Sequence, residues 1–226
     1  MRETFHQELE RIREELGSMI SMAEEAIMRA TRALVDADVR LAEAVIADDT
    51  RIDLLREQID TKAIDLLARQ TPVATDLRIV VTAMRISAEV ERMGDLARHV
   101  AEAVRARYPD RVAPPEIQEI LAAMGAAAEE ICHAAAEALR TLDGEAAGRI
   151  ERLDDTLDGY ELDLSQRLTE EDWPHGMRAA VDTTLLSRFY ERYGDHAVNI
   201  AQRVKYLVTG EPASVAPLPD RSREIG

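Results

Sequence analysis

The sequence predicts an all-α protein made of two pseudo-symmetric, antiparallel three-helix bundles, with no sheet. Three observations predict it. Ala, Leu, Glu and Arg dominate, only 4% of residues are aromatic and there are ten Gly and eight Pro, so helix propensity is high almost throughout. Apolar residues recur at steps of three and four, and no segment keeps a two-residue alternation. One signature also occurs twice, E-R-M-G-D-L-A-R-H-V-A from Glu91 to Ala101 and E-R-Y-G-D-H-A-V-N-I-A from Glu191 to Ala201. Ten of the 27 positions from 78 to 104 hold the same residue 100 places later, so one helical unit is written twice.

Each element follows from its pattern. A first helix is expected from about Glu3 to Val35, with Phe5, Leu9, Ile12, Leu16, Met19, Ala23, Ala26, Ala30 and Leu34 along one stripe. Asp36 and Asp38 break it and supply a cap. A second runs to about Arg69 on Leu41, Val45, Ile52, Leu55, Ile59 and Leu66. Pro72 interrupts, and Thr75 or Asp76 can cap the third helix, which carries the first signature to about Arg107. The stretch Y-P-D-R-V-A-P-P from Tyr108 to Pro115 reads as the linker between halves, because its prolines stop one helix and start the next. Ile117, Ile120, Met124, Ile131, Ala135, Ala138 and Leu142 mark the fourth helix, and Asp143-Gly144 is a turn. The fifth spans about Glu145 to Leu168. After a turn around Trp173 and Pro174, the sixth reaches about Val208 and carries the second signature. The expected organisation is 1–108 for the first bundle, 109–210 for the second and 211–226 as a loose C-terminal tail.

Composition narrows the function. Asp and Glu total 44 against 28 Lys and Arg, a formal net charge of −16. Such a surface repels nucleic acid and anionic lipid and attracts cations and basic partner surfaces. No basic patch with interleaved aromatics is present, so no nucleic-acid partner is expected. Cys132 is the only cysteine, which leaves no intramolecular disulfide and no thiolate metal site; on an Ala-rich helix it reads as a packing residue. A chain charged from Arg2 onward, with no apolar run of membrane-spanning length, is expected to lack a signal peptide and to be cytoplasmic without direct membrane insertion.

The chemistry sits in acidic pairs. Glu91/Asp95 and Glu191/Asp195 are four apart, so both carboxylates of a pair share one helix face. The stripes Ser87-Glu91-Asp95-His99 and Ser187-Glu191-Asp195-Asn199 extend them. The preceding helices supply Asp49/Asp53, followed by Glu57 and Asp60, and Asp154/Asp158, followed by Glu161. Four carboxylates from two antiparallel helices make an oxygen-rich site for a hard or borderline divalent or trivalent cation, Fe, Zn, Mn or Mg. The candidate ligands are therefore Asp49, Asp53, Glu91, Asp95, Asp154, Asp158, Glu191 and Asp195, with Glu57, His99, Glu161 and Asn199 as weaker members. The competing reading is a salt-bridge network in which Glu91 bonds Arg92 or Arg98 and Asp95 bonds a backbone amide. Recurrence in both halves favours metal. Gly94 and Gly194 point the same way, since a mid-helix glycine costs about 1 kcal/mol relative to Ala and implies close approach or room for a ligand. His196, next to Asp195, points about 100° away from the acidic face and is a supporting or partner contact. The E-x-x-H strings at Glu3/His6 and Glu130/His133 fall on helices of different halves and read as chance matches to the di-iron carboxylate motif.

The doubled signature, together with T-P-V-A-T-D-L-R at 71–78, resembles the PhoU family of accessory regulators of bacterial phosphate uptake, over about residues 3 to 210. The resemblance implies a pair of three-helix bundles. It implies iron or zinc clusters at acidic pairs in some members, at positions matching Asp49/Asp53 with Glu91/Asp95 and Asp154/Asp158 with Glu191/Asp195. It further implies a non-enzymatic negative regulator linking a phosphate ABC transporter, through its ATPase, to a membrane sensor histidine kinase, peripheral to the membrane through these partners and with a homodimer among its assemblies. The copies differ at His99-Val100 against Asn199-Ile200, so the two sites need not match in occupancy or metal. A carboxylate-bridged di-metal oxidase and a metal-free helical scaffold are the other readings.

Overall fold

A computed structural model describes residues 2–170 and 172–211, so the expected C-terminal tail lies outside the described residues except Glu211. The described residues form six α-helices and no strand: α1 (Arg2–Asp36), α2 (Val39–Gln70), α3 (Thr75–Arg107), α4 (Pro115–Thr141), α5 (Ala147–Leu168) and α6 (Gly176–Thr209). Asp38 caps α2, its Oδ1 accepting from the amides of Arg40 and Leu41 at 3.0 and 3.1 Å. The cap of α3 is not where the sequence suggested. Ala74, at φ 48°, holds the N-cap position without a side-chain bond, and Thr75 is already helical. Asp76 in the first turn instead complements the helix dipole.

As expected, α1–α3 and α4–α6 each pack as a three-helix bundle, and the two bundles are joined closely by α1 on α4 and α3 on α6. α1 packs on α2, α3 and α4, and α6 packs on α3, α4 and α5. α2 touches only α1 and α3, and α5 only α4 and α6. So α1, α3, α4 and α6 form a shared middle, and α2 and α5 are the outer helices. One hydrophobic cluster runs through both halves. This explains why α1 buries Ile20, Ile27 and Ala33 beside the expected stripe, since three partners need a wider apolar arc than one seam. Two fully buried tyrosines of α6 reach across the middle. Tyr193 donates to the Ala23 carbonyl at 3.0 Å, and the Tyr190 hydroxyl lies 2.9 Å from Thr31 Oγ1. The proline-rich linker is tucked in as well, with Val112 and Ala113 buried and Arg111 donating to the Val35 carbonyl at the end of α1.

The α3/α6 contact joins the halves and is polarised. At one end Glu89 is nearly buried and collects its donors from α6. His196 Nδ1 lies 2.8 Å away, Asn199 Nδ2 donates at 3.5 Å, and Arg203 donates through Nε at 3.1 Å and through Nη2. Burial alone would raise the Glu89 carboxyl, but the hydrogen bonds from His196 and Arg203 outweigh it and hold its pKa below the usual range. One hundred residues on, Phe189 stands in place of Glu89 and stacks on His99, ring centroids 5.2 Å apart. Breaking the polar end leaves a desolvated charge, so Arg203→Ala is expected to lower unfolding stability by about 2 kcal/mol. In a Glu89→Leu background the same change should cost far less in urea titrations, and an equal loss in both backgrounds would contradict the contact.

Candidate metal centres on the outer helices

The acidic pairs do meet across the outer seams, α2 against α3 and α5 against α6, because glycines let the helices close up there. A Cβ on Gly94 would stand 3.1 Å from Asp49 Oδ1 and 2.9 Å from Ile52 Cδ1. A Cβ on Gly194 would collide with Asp154 Oδ1 and lie 2.8 Å from Leu157 Cδ2. The two glycines therefore fix the register of the outer helices: α5 repeats α2 with a shift of 105 positions (49 to 154, 52 to 157), whereas α6 repeats α3 with a shift of 100. Ser87 and Ser187 bond their own helices, to the Met84 and Thr184 carbonyls at 2.8 and 3.0 Å, and so complete the stripe without facing a ligand.

In the α2/α3 seam the carboxylates are met by arginines. Arg98 spends all three guanidinium nitrogens on different acids: Nε donates to Asp49 Oδ2 at 2.7 Å, Nη2 to Asp95 Oδ1 at 2.7 Å and Nη1 to Glu102 Oε1 at 2.8 Å. Arg56 donates to Glu91 Oε1 at 3.1 Å, and Arg92 to Asp95 Oδ2 at 3.2 Å. The salt-bridge reading thus holds here: Arg92 Nε lies 3.5 Å from Glu91 Oε2 as expected, Arg56 adds a partner from the neighbouring helix, and Asp95 bonds Arg98 and Arg92 rather than a backbone amide. Burial, the largest influence, still leaves the Asp49 carboxyl raised, with Arg98 pulling it back. Asp53 and Glu57 are exposed beside this seam, and Arg56 Nε lies 3.9 Å from Asp60.

The α5/α6 seam has the acids without the arginines. At the shifts just given, Arg56 is replaced by Glu161 and Arg98 by Val198. Arg188, 2.6 Å from Glu191 Oε1, is the cation that reaches the set. Asp154 Oδ1 and Glu191 Oε2 are buried and have no hydrogen-bond partner. Burial first, then the charges of Asp158, Asp195 and Glu191, push the Asp154 carboxyl up to about 7. Burial followed by neighbouring acids raises Asp158 and Glu191 as well. Asp195 is exposed at the rim of the same seam.

The weaker candidates divide. Glu161 stays with the α5/α6 set. His99 stacks on Phe189 and Asn199 donates to Glu89, so both belong to the contact between the halves. His133 lies 3.1 Å from Glu24 across α1 and α4, away from both acidic seams. Cys132 is fully buried, its thiol pushed up to about 12 by burial, as suits a packing residue. Among the described residues no group of three or more His, Cys, Asp or Glu is placed to hold a metal ion. Any fit to a cation therefore rests on donor chemistry rather than on a preformed shell. By that criterion α5/α6, with Asp154 Oδ1 unpartnered and surplus negative charge, suits a cation better than α2/α3, where Glu91 Oε2 is likewise unpartnered but the Arg98 guanidinium stands between Asp49 and Asp95.

Six helices in a twofold repeat, with an acidic seam on each outer helix, define a twin three-helix-bundle protein of a doubled domain. The profile described as "PhoU domain" matches residues 16–104 and again 121–204. The chain is 44% identical over 210 residues to the phosphate-specific transport system accessory protein PhoU homolog 2 of Mycobacterium tuberculosis, covering 93% of this chain and 99% of that one. It is 32% identical to the PhoU homolog of Pseudomonas aeruginosa, covering 91% of this chain and 86% of that one. The crystal structure of PhoU from Pseudomonas aeruginosa superposes with a TM-score of 0.84 at 30% identity, over 92% of this chain and all of that one. The crystal structure of the phosphate transport system regulatory protein PhoU from Streptococcus pneumoniae also gives 0.84, at 25% identity, over 93% of this chain. The chain belongs to the PhoU family.

The raised Asp154 carboxyl fixes a pH response. Its folded pKa lies above the model-peptide 3.8, so between those values the folded state holds the extra proton, and stability falls as pH rises through about 7. Chelator-treated protein should therefore gain thermal stability between about pH 7.5 and pH 5.5, a range in which Glu89 stays ionised and adds no opposing slope. Asp154→Asn should reduce that gain in thermal melts, and an unchanged slope would show that Asp154 is not held in a charge-crowded site.

Proposed function

We propose that this chain is a non-enzymatic negative regulator of phosphate uptake, acting on the cytoplasmic side as an adaptor between a phosphate ABC transporter's ATPase and a sensor histidine kinase. The observation that carries it is the match of both halves to one domain whose relatives are named accessory proteins of phosphate-specific transport. The chemistry of the molecule supports it. The acids of the two seams are paired with arginine or crowded by other acids, and His133 and His196 are engaged between helices rather than beside a carboxylate pair. Among the described residues no helix is long and apolar enough to cross a membrane. A net charge of −16 suits basic partner surfaces and fast, salt-sensitive encounter.

A metal of the Fe, Zn, Mn or Mg class belongs to the same proposal, held by Asp154, Asp158, Glu191 and Asp195, with Glu161 nearby. Bound there, it would neutralise the crowded carboxylates and tie α5 to α6. Asp154 and Glu191 each offer a buried oxygen without a hydrogen-bond partner, and Gly194 lets α6 approach α5 closely beside Asp154, which supports this reading.

Tagged protein is expected to retain both the transporter ATPase and the kinase from the same organism in pull-downs. Retention should weaken as salt is raised from about 0.05 to 0.5 M, because exposed charge pairs are screened over that range. Failure to retain either partner at low salt would overturn the adaptor role.

A further inference from the structure

We propose that Arg98 is the built-in cation of the α2/α3 seam and takes the place a metal would occupy there, so that this half of the repeat is closed to metal. The inference rests on the reading that the α5/α6 seam binds a divalent cation, and it assigns the two halves different cations. Three observations carry it.

Arg98 is saturated, with Nε, Nη1 and Nη2 each donating at 2.7 to 2.8 Å to a different carboxylate, two of which, Asp49 and Asp95, are the acids that would ligate an ion. A metal at ligand distance, about 2.0–2.6 Å from those oxygens, would need the volume that the guanidinium fills. The planar, permanently charged fork also satisfies several carboxylates at once without the dehydration a divalent ion requires. The second observation is the substitution pattern: the other half carries Val198 at the Arg98 position and Glu161 at the Arg56 position, so both cations are missing together. The third is what the absence of Arg98 leaves behind: Asp154 Oδ1 is buried and unpartnered, whereas its counterpart Asp49 is bonded by Arg98, and Glu91 Oε2 and Glu191 Oε2 lack a hydrogen-bond partner in both halves alike. One copy meets its seam charge with Arg98 and Arg56; the other has only Arg188, paired with Glu191, and leaves Asp154 without a cation.

The test exchanges the two residues in the full chain, stripped with chelator and titrated with Mn2+ while the free ion is followed by electron paramagnetic resonance. In the wild type, Asp154→Asn with Asp195→Asn should weaken Mn2+ binding by at least about tenfold, while Asp49→Asn with Asp95→Asn leaves it within about twofold. Arg98→Val should create a second Mn2+ site that disappears when Asp49→Asn is added. Val198→Arg should abolish the native site and raise the melting temperature of metal-free protein by a few degrees. If Arg98→Val does not fold, as circular dichroism would show, Val198→Arg decides alone. Unchanged Mn2+ binding and melting temperature in that variant would overturn the proposal. So would an Arg98→Val protein that folds and gains no site, even with Mn2+ bound normally at α5/α6. If the wild type binds no Mn2+ but Arg98→Val does, the metal reading of the α5/α6 seam fails while the role of Arg98 stands.

Discussion

Packing two acidic helices edge to edge demands a counter-charge at the seam, and most of what distinguishes this molecule follows from how that demand is met. Gly94 and Gly194 bring each outer helix so close that a methyl group at either position would press on an aspartate. Carboxylates at such a contact lose water and gain one another's charge, and both effects oppose ionisation. The first half answers with Arg98 and Arg56. The second half has Arg188 alone against Asp154, Asp158, Glu161, Glu191 and Asp195, and crowding with burial pushes the Asp154 carboxyl up to about 7.

The same repeat diverges where the halves touch. Glu89 and Phe189 occupy equivalent places on α3 and α6, yet one is locked by His196, Asn199 and Arg203 and the other stacks on His99. A duplicated unit that paired through identical surfaces could slip or reverse. A charged lock at one end and an aromatic contact at the other are not interchangeable, so this arrangement is favoured over a slipped or reversed one, in which Glu89 would lose its donors. The shared middle of α1, α3, α4 and α6 then holds the two outer seams on opposite flanks, each built from one inner and one outer helix.

Much of this was legible in the sequence. The steps of three and four placed all six helices, the doubled signature exposed the repeat, and the Asp38 cap and the Asp143 turn were read from residue type alone. The Thr75 cap was not legible, because Pro72 marks only where α2 must stop and leaves open which residue turns the chain. The fused core was missed as well. Ile20 and Ile27 sit one position beside the expected stripe, and that extra width was the signal of a third partner. At the sites, the pairing of helices was read correctly, and the arginine counter-charge was carried as the competing reading, though Arg98 bonds Asp49, Asp95 and Glu102 rather than Glu91. Arg98 against Val198 stands in plain view when the copies are aligned, whereas Arg56 against Glu161 needs the 105-residue shift that only the glycine contacts reveal. Asn199 and His99 lie at the expected four-residue spacing, yet at their end of the helix the neighbour is the other half rather than the outer helix.

As a regulator of phosphate uptake, such a protein would present one rigid arginine-closed flank and one flank whose cohesion depends on what fills its acidic seam. Amide hydrogen exchange on chelator-stripped protein tests that difference most directly. The α5 amides should exchange faster than those of α2, and added Mn2+ should slow exchange along α5 and the facing part of α6 alone. Equal protection of α2 and α5 without metal, or a Mn2+ effect spread evenly over both seams, would contradict the electrostatic asymmetry.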